Sequence, residues 1–186
     1  QRVCDWDGAW LVVSTGGLSR SDRVALRARE RALTLSGFRL LDSHLYLRPD
    51  NLVGHAAAAR DRLYKLGLDS NAPVFSVRDL DPERERLART RWQGDKLNAS
   101  YRQGRIKLQA WIEHADQLDL DVAARESFLL GNDAIRQLVY DPLLPEPMVD
   151  GALRHTFIDS VHAFDAAGRA IWNRFYDTLP TPDTAP

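Results

Sequence analysis

The stretch RQLVYDPLLPEPM, Arg136 to Met148, contains an Asp-Pro followed by Leu-Leu-Pro-Glu-Pro. It lies between two segments with helical periodicity. Proline after Asp141 disfavours helical backbone at Asp141, so the first of these helices must end near Tyr140. The two later prolines keep the residues around them extended. The two leucines would leave apolar surface in water unless they packed on the protein. We call residues 141–149 the strap, and we predict that it packs into a helical domain and fixes how the last helix docks.

The segments on both sides of the strap have the pattern of a helical domain. Asp81 followed by Pro82 is a preferred N-cap with a preferred first helical residue, so one helix begins there. A second helix is predicted to begin with Asn98 as its cap, and a third to run from about residue 121 to residue 140. The last helix begins near Asp150. Its apolar residues are spaced by threes, fours and sevens, which is the pattern of a core face.

Alternating strand and helix patterns fill the first 80 residues. Short apolar runs at 10–14, 38–49 and 72–80 are typical of strands, and the middle run has room for two of them. A helix lies after the first strand, with Ser19 or Ser21 available as its N-cap. An alanine-rich helix lies before the last strand. This order predicts a β-α-β-β-α-β unit.

Together these patterns predict an α+β protein with two domains. Residues 1–80 are expected to form a ferredoxin-like domain, in which helices cover one face of an antiparallel sheet. Residues 81–178 are expected to form an all-α domain. The proline-rich tail at residues 179–186 is expected to be disordered.

The composition is that of a globular chain with a sizeable core, since 44% of the 186 residues are hydrophobic. No apolar run approaches the roughly 18 residues of a membrane helix, so we expect no membrane partner and a cytoplasmic location. The single cysteine, Cys4, cannot form an internal disulfide. The chain begins with Gln1 and enters its first strand almost at once, which leads us to expect a missing upstream segment.

Charge is divided unevenly along the chain. Residues 1–108 hold 20 Lys and Arg against 13 Asp and Glu, whereas residues 109–186 hold 5 against 13. The basic half, residues 1–108, is able to bind phosphates or an acidic partner. Solvated helix faces explain many of these charges equally well.

Four stretches, in this order and spacing, resemble the PaaX-type transcriptional regulators, the repressors of phenylacetate degradation. They are WDGAWLVVS at residues 6–14, SGFRLLDSHLYLRP at 36–49, the Trp92 to Tyr101 spacing and RQLVYDPLLP at 136–145. The resemblance covers roughly residues 5–175. EPMVDG at 146–151 departs from the usual pattern of the family, so the identity of the effector stays open.

The resemblance implies a dimeric repressor in three parts: an amino-terminal winged helix that binds DNA, a ferredoxin-like middle domain and a helical carboxy-terminal domain. Only the last two are expected in this chain, so DNA would be contacted through a missing winged-helix domain. The resemblance further implies an acyl-CoA effector, typically phenylacetyl-CoA, whose binding releases the operator. It implies no enzymatic activity and no cofactor.

A coenzyme A ligand requires cations for its phosphates and an apolar or aromatic slot for its acyl group. One predicted helix offers both, because three cations lie close to Trp111 along it. Arg136 is placed either to reach a ligand or to hold Asp141. The predicted ligand-binding residues are therefore Arg102, Arg105, Lys107, Trp111, Arg136 and Tyr140.

Two other functions are open from the sequence. The chain resembles, more weakly, small CRISPR-associated nucleases, but the first strand ends in Ser-Thr-Gly-Gly, and helix capping explains Asp22 without a metal. The sheet alone is also able to build a dimer that binds no ligand. His155, Asp159 and His162 share one helix face, yet two histidines and one carboxylate are a weak metal signal. We therefore expect no catalytic residue and no metal site.

Overall fold

A computed structural model describes residues 3–19 and 21–178 of the chain. Contacts divide it into two compact units: Gln1–Lys96 with Val139–Gly151, and Leu97–Leu138 with Ala152–Pro186. The proposed boundary at residue 80 falls inside the first unit. The strap also lies in the first unit, so the prediction that it packs into the helical domain is wrong. The tail predicted to be disordered, residues 179–186, lies outside the described residues.

The first unit contains a four-stranded antiparallel sheet with strand order β2-β3-β1-β4. The elements in chain order are β1 (Trp10–Ser14), α1 (Arg23–Leu35), β2 (Arg39–Asp42), β3 (Leu45–Pro49), α2 (His55–Lys65) and β4 (Val74–Val77). The run at 38–49 thus forms two strands, which confirms that it has room for both. His44, at the turn between them, has a φ of 73°. The chain is α+β, as the sequence predicts.

One face of the sheet forms a core with the side chains of α1 and α2. Leu11 and Val13 of β1 are completely buried and belong to one cluster with Leu33 and Leu63 from the two helices. Asp22, not Ser19 or Ser21, is the N-cap of α1, because its Oδ1 accepts hydrogen bonds from the backbone N–H groups of residues 24 and 25 at 2.8 and 3.1 Å. Capping therefore occupies this carboxylate.

The opposite face of the sheet is covered by α3 (Pro82–Thr90) and the residues that follow it. Trp10 alternates with Leu11 along β1 and so points away from α1 and α2. Its ring stacks on Trp92 with a centroid distance of 5.9 Å. Its Nε1 donates to Glu85 of α3 at 2.7 Å, and Trp92 Nε1 donates to the carbonyl of Gly37 at 3.2 Å. These contacts extend the first unit beyond residue 80.

The second unit is helical. It is formed from α4 (Gly94–His114), a 3-10 turn (Ala115–Gln117), α5 (Leu120–Val139) and α6 (Gly151–Asp177), of which α4 begins in the first unit. The predicted cap at Asn98 is wrong, because α4 begins four residues earlier. Aromatic side chains from α4 and α6 pair in the core: Tyr101 with Phe157 at 6.0 Å, and Trp111 with Phe164 at 4.8 Å. No helix in the described part of the chain is both long and apolar enough to cross a membrane.

Candidate functional site

Arg102 and Arg105 are neighbours on α4, but the third predicted cation, Lys107, points away from both. Arg102, Arg105 and Lys107 are exposed. An α-helix turns roughly 100° per residue, so Arg102 and Lys107 diverge by roughly 140° around the helix axis. Trp111, the predicted slot, is only 6% exposed and packs against Phe164. The structure therefore does not bring these cations together beside an open aromatic ring.

Lys107 lines a small cleft within the second unit. Gly104 forms part of its wall, since a Cβ at this residue would lie 2.6 Å from Cε2 of Phe157. Gln137 also lines the cleft, and its Nε2 is buried without a partner among the described residues. The cleft volume is about 110 Å³. This is below the roughly 300–1,000 Å³ of typical ligand pockets.

Arg136 and Tyr140 lie at the end of α5. Arg136 is exposed and makes no ion pair or hydrogen bond in the described part of the chain, so it does not hold Asp141. Tyr140 is 54% exposed and lines an open cleft of about 320 Å³ beside α1, together with Arg27 and Arg31. The six predicted residues therefore do not converge on one site.

A cleft along α2 fits the requirement for cations and apolar surface better. Its volume is about 480 Å³, within the roughly 300–1,000 Å³ of ligand pockets. Three basic side chains, His55, Arg62 and Lys65, lie at it with one acidic side chain, Asp61. Its apolar lining consists of Leu52, Val53, Ala58, Ala59 and Leu66. We call it the α2 cleft.

Sequence reasoning missed the α2 cleft because it took Trp111 on α4 as the slot for the apolar part of the ligand. The spacing of the basic residues in α2 did indicate a shared surface. His55, Arg62 and Lys65 recur at intervals of seven and three, which places them on one side of a helix. His55 Nδ1 also contacts Asp50 Oδ1 at 2.9 Å, which ties the start of α2 to the end of β3.

The strap is held by a buried arginine that the sequence did not single out. Arg48 is 2% exposed, and its Nη2 donates to the carbonyl of Pro142 at 3.3 Å. The adjacent Asn51 is fully buried and donates from Nδ2 to the carbonyl of Leu143 at 2.8 Å. Burial lowers the pKa of Arg48 to about 10, so the guanidinium stays charged at neutral pH.

Two glycines let the chain come close to the strap. A Cβ at Gly37, where φ is 76°, would lie 3.0 Å from the carbonyl oxygen of Pro142. A Cβ at Gly94 would lie 2.0 Å from the carbonyl oxygen of Met148, which is not physically possible without movement of the backbone. The strap is thus a fixed part of the first unit.

Acidic and histidine side chains do not gather into a metal centre anywhere in residues 3–19 and 21–178. His155 and Asp159 are 3.9 Å apart and both exposed on α6. Asp22 caps α1, as described above. These positions give no support to the nuclease alternative.

The two units define a class: an α+β protein with a four-stranded antiparallel sheet in one unit and a helical second unit. Residues 92–174 match the family described as the PaaX-like protein C-terminal domain. Over these residues the resemblance to PaaX-like proteins that was drawn from the sequence is confirmed.

The fold is shared with a solved structure, that of the uncharacterized protein Rv0674 from Mycobacterium tuberculosis. The TM-score is 0.59 at 19% sequence identity, and the match covers 92% of this chain and 66% of that protein. The chain thus spans just under two thirds of that protein's length. At this identity the likeness shows the fold alone. None of the curated proteins matches the chain.

Proposed function

We propose that this chain is the effector-sensing and dimerisation region of a PaaX-like bacterial transcriptional repressor in the cytoplasm. In this proposal it responds to an acyl-CoA-type ligand and has no enzymatic activity. DNA is contacted by a winged-helix domain that lies outside this chain. The match of residues 92–174 to the PaaX-like C-terminal domain supports the regulatory role.

A ferredoxin-like identity for residues 1–80 is part of the proposal. The β1-α1-β2-β3-α2-β4 order and the β2-β3-β1-β4 strand order support it, because two split β-α-β units interleave in this way. Residues 81–178 remain the proposed helical domain. In this view α3 covers the second face of the sheet.

The observation that carries the ligand proposal is the composition of the α2 cleft. An acyl-CoA thioester combines phosphates with an apolar acyl group, and the cleft combines three basic side chains with five apolar ones. Arg102, Arg105 and Lys107 on α4 stay a second proposed site for the phosphates. The size of the cleft and its apolar lining favour α2.

Regulation by such a ligand requires different affinities for the two states of the repressor. A ligand that binds both states equally shifts no equilibrium, however tightly it binds. The α2 cleft would therefore have to bind the effector more tightly in the form that has released DNA.

A thermal-shift titration with phenylacetyl-CoA, other acyl-CoA thioesters and free coenzyme A tests the ligand proposal. A ligand at a hundredfold excess over its dissociation constant adds about 2.7 kcal/mol to the stability of the folded state. We expect a shift with at least one acyl thioester and a smaller one with free coenzyme A.

Two matched double variants locate the site. Arg62→Ala with Lys65→Ala removes two exposed cations from α2, and Arg102→Ala with Arg105→Ala removes two from α4. We expect only the α2 pair to abolish the shift. The opposite result would place the ligand on α4. No shift with any thioester would contradict acyl-CoA sensing and favour the alternative, a dimerisation module that binds no ligand.

A further inference from the structure

Helix α5 carries four large apolar side chains on the side that faces solvent. Phe128 is 59% exposed, Ile135 58%, Leu129 53% and Val122 38%. The buried residues of the same helix are small: Ala123, Ala124, Ser127 and Ala134. The two sets lie on opposite sides, because α-helical residues are spaced by roughly 100° around the axis. A helix that is apolar on both sides is normally buried on both sides.

Charged residues at the two ends of this exposed side complement each other. Asp121 directly precedes the first of these apolar residues, and Arg136 directly follows the last, about 22 Å further along the helix at 1.5 Å per residue. Neither makes an ion pair in the described part of the chain. We call the exposed side the α5 face; its residues are Asp121, Val122, Arg125, Phe128, Leu129, Asn132, Ile135 and Arg136.

The α5 face is self-complementary in the antiparallel direction. Suppose that two copies of α5 pack with a twofold axis between residues 128 and 129. Each residue then lies opposite the partner residue for which the two residue numbers add up to 257. Asp121 then faces Arg136 of the partner subunit, once at each end of the contact. The apolar pairs are Val122 with Ile135 and Phe128 with Leu129, and the remaining pair is Arg125 with Asn132.

We propose that α5 packs antiparallel against α5 of a second copy of this chain through the α5 face. The inference rests on the dimerisation part of the proposed function and names its surface. A second copy is the occupant because a single twofold axis pairs both charged residues and the four apolar residues of the α5 face at once.

The interface is small. A single pair of helices of this length buries less than the roughly 800 Å² per partner of a standard interface. We therefore expect a dissociation constant in the micromolar range.

Sedimentation velocity of the purified chain over a range of concentrations tests the α5 face. We expect wild type to dimerise and Phe128→Glu to raise the dissociation constant at least tenfold. Ile106→Glu is the matched control, because Ile106 is 60% exposed on α4 and lies outside the α5 face. It should dimerise as wild type does. Far-UV circular dichroism checks that each variant is folded.

Charge exchange tests the antiparallel pairing. Asp121→Arg and Arg136→Asp should each weaken the dimer, because each creates two repulsive pairs, and the double variant should restore it to within threefold of wild type. Failure of that restoration overturns the antiparallel arrangement. A wild-type dimer that Phe128→Glu leaves intact overturns the α5 face but not dimerisation. A chain that stays monomeric up to millimolar concentration overturns both, while the thermal-shift result for the effector stands independently.

Discussion

Replacing Arg48 with alanine should strongly destabilise the first unit. The guanidinium donates to the carbonyls of Ser36 at 2.7 Å, Pro49 at 3.1 Å and Pro142 at 3.3 Å. It also donates to Oδ1 of Asn51 at 3.1 Å. Without Arg48, these four acceptors lose a charged donor inside a site that excludes water. Each buried acceptor left without a partner costs about 1–3 kcal/mol.

The expected loss is about 3–5 kcal/mol, because the truncation also relieves the cost of burying a charge. That cost is real, since burial lowers the pKa of Arg48 to about 10. Arg48→Lys keeps the charge but not the planar fork of donors, so about half of the loss is expected.

Urea unfolding at pH 7 measures these losses as changes in the midpoint at constant slope. Arg105→Ala is the control, since it removes an exposed arginine from α4 and should stay within about 0.5 kcal/mol of wild type. If Arg48→Ala were no more destabilising than this control, the hydrogen bonds to the strap would not hold it.

Three further substitutions test separate contacts by the same unfolding assay. Asn51→Ala should cost about 1–3 kcal/mol, because it breaks the 2.8 Å bond to the strap; a neutral result would show that this bond is dispensable. Gly104→Ala should cost about 1–3 kcal/mol by overpacking, since its Cβ would lie 2.6 Å from Phe157; wild-type stability would mean that the ring moves freely. Asp69→Asn should cost about 1.5–3 kcal/mol at pH 7. The hydrogen bond from Arg29 lowers the pKa of Asp69 below 3.8. The loss of stability in Asp69→Asn should therefore vanish as the pH falls through this lowered pKa. A loss of stability that is unchanged at pH 3 would show that it has another cause.

The order of helices and strands was predictable because each element carries its own local signal. Apolar alternation marked the strands, and Asp81 with Pro82 marked the start of α3. The caps were harder, because Ser19, Ser21 and Asp22 are all acceptable N-caps and only the backbone path selects among them. The prediction of Asn98 as a cap was wrong for the same reason. The sequence does not distinguish an asparagine that precedes a helix from one that lies inside it.

The site was less predictable because it depends on which helix face is buried. Trp111 and the cations of α4 are close in sequence, yet the ring turns into the core and the cations turn outward. The prediction that Arg136 holds Asp141 was wrong. No local sequence pattern shows whether an arginine pairs with a nearby carboxylate. The α2 cleft required the fold, because Leu52 and Val53 reach it from outside α2.

The position of the strap shows why widely separated stretches carried the family resemblance. Arg48 lies in SGFRLLDSHLYLRP and Pro142 in RQLVYDPLLP, 94 residues apart, and they are joined by a hydrogen bond. A hydrophobic side chain would fill the site of Arg48 at a lower desolvation cost, but it would not fix the direction of any carbonyl. The contribution of Arg48 is therefore positional: it sets the path of the strap, which runs between the end of α5 at Val139 and the start of α6 at Gly151. A change in either stretch alone would leave buried polar groups unpaired in the other, so the two stretches form one physical unit.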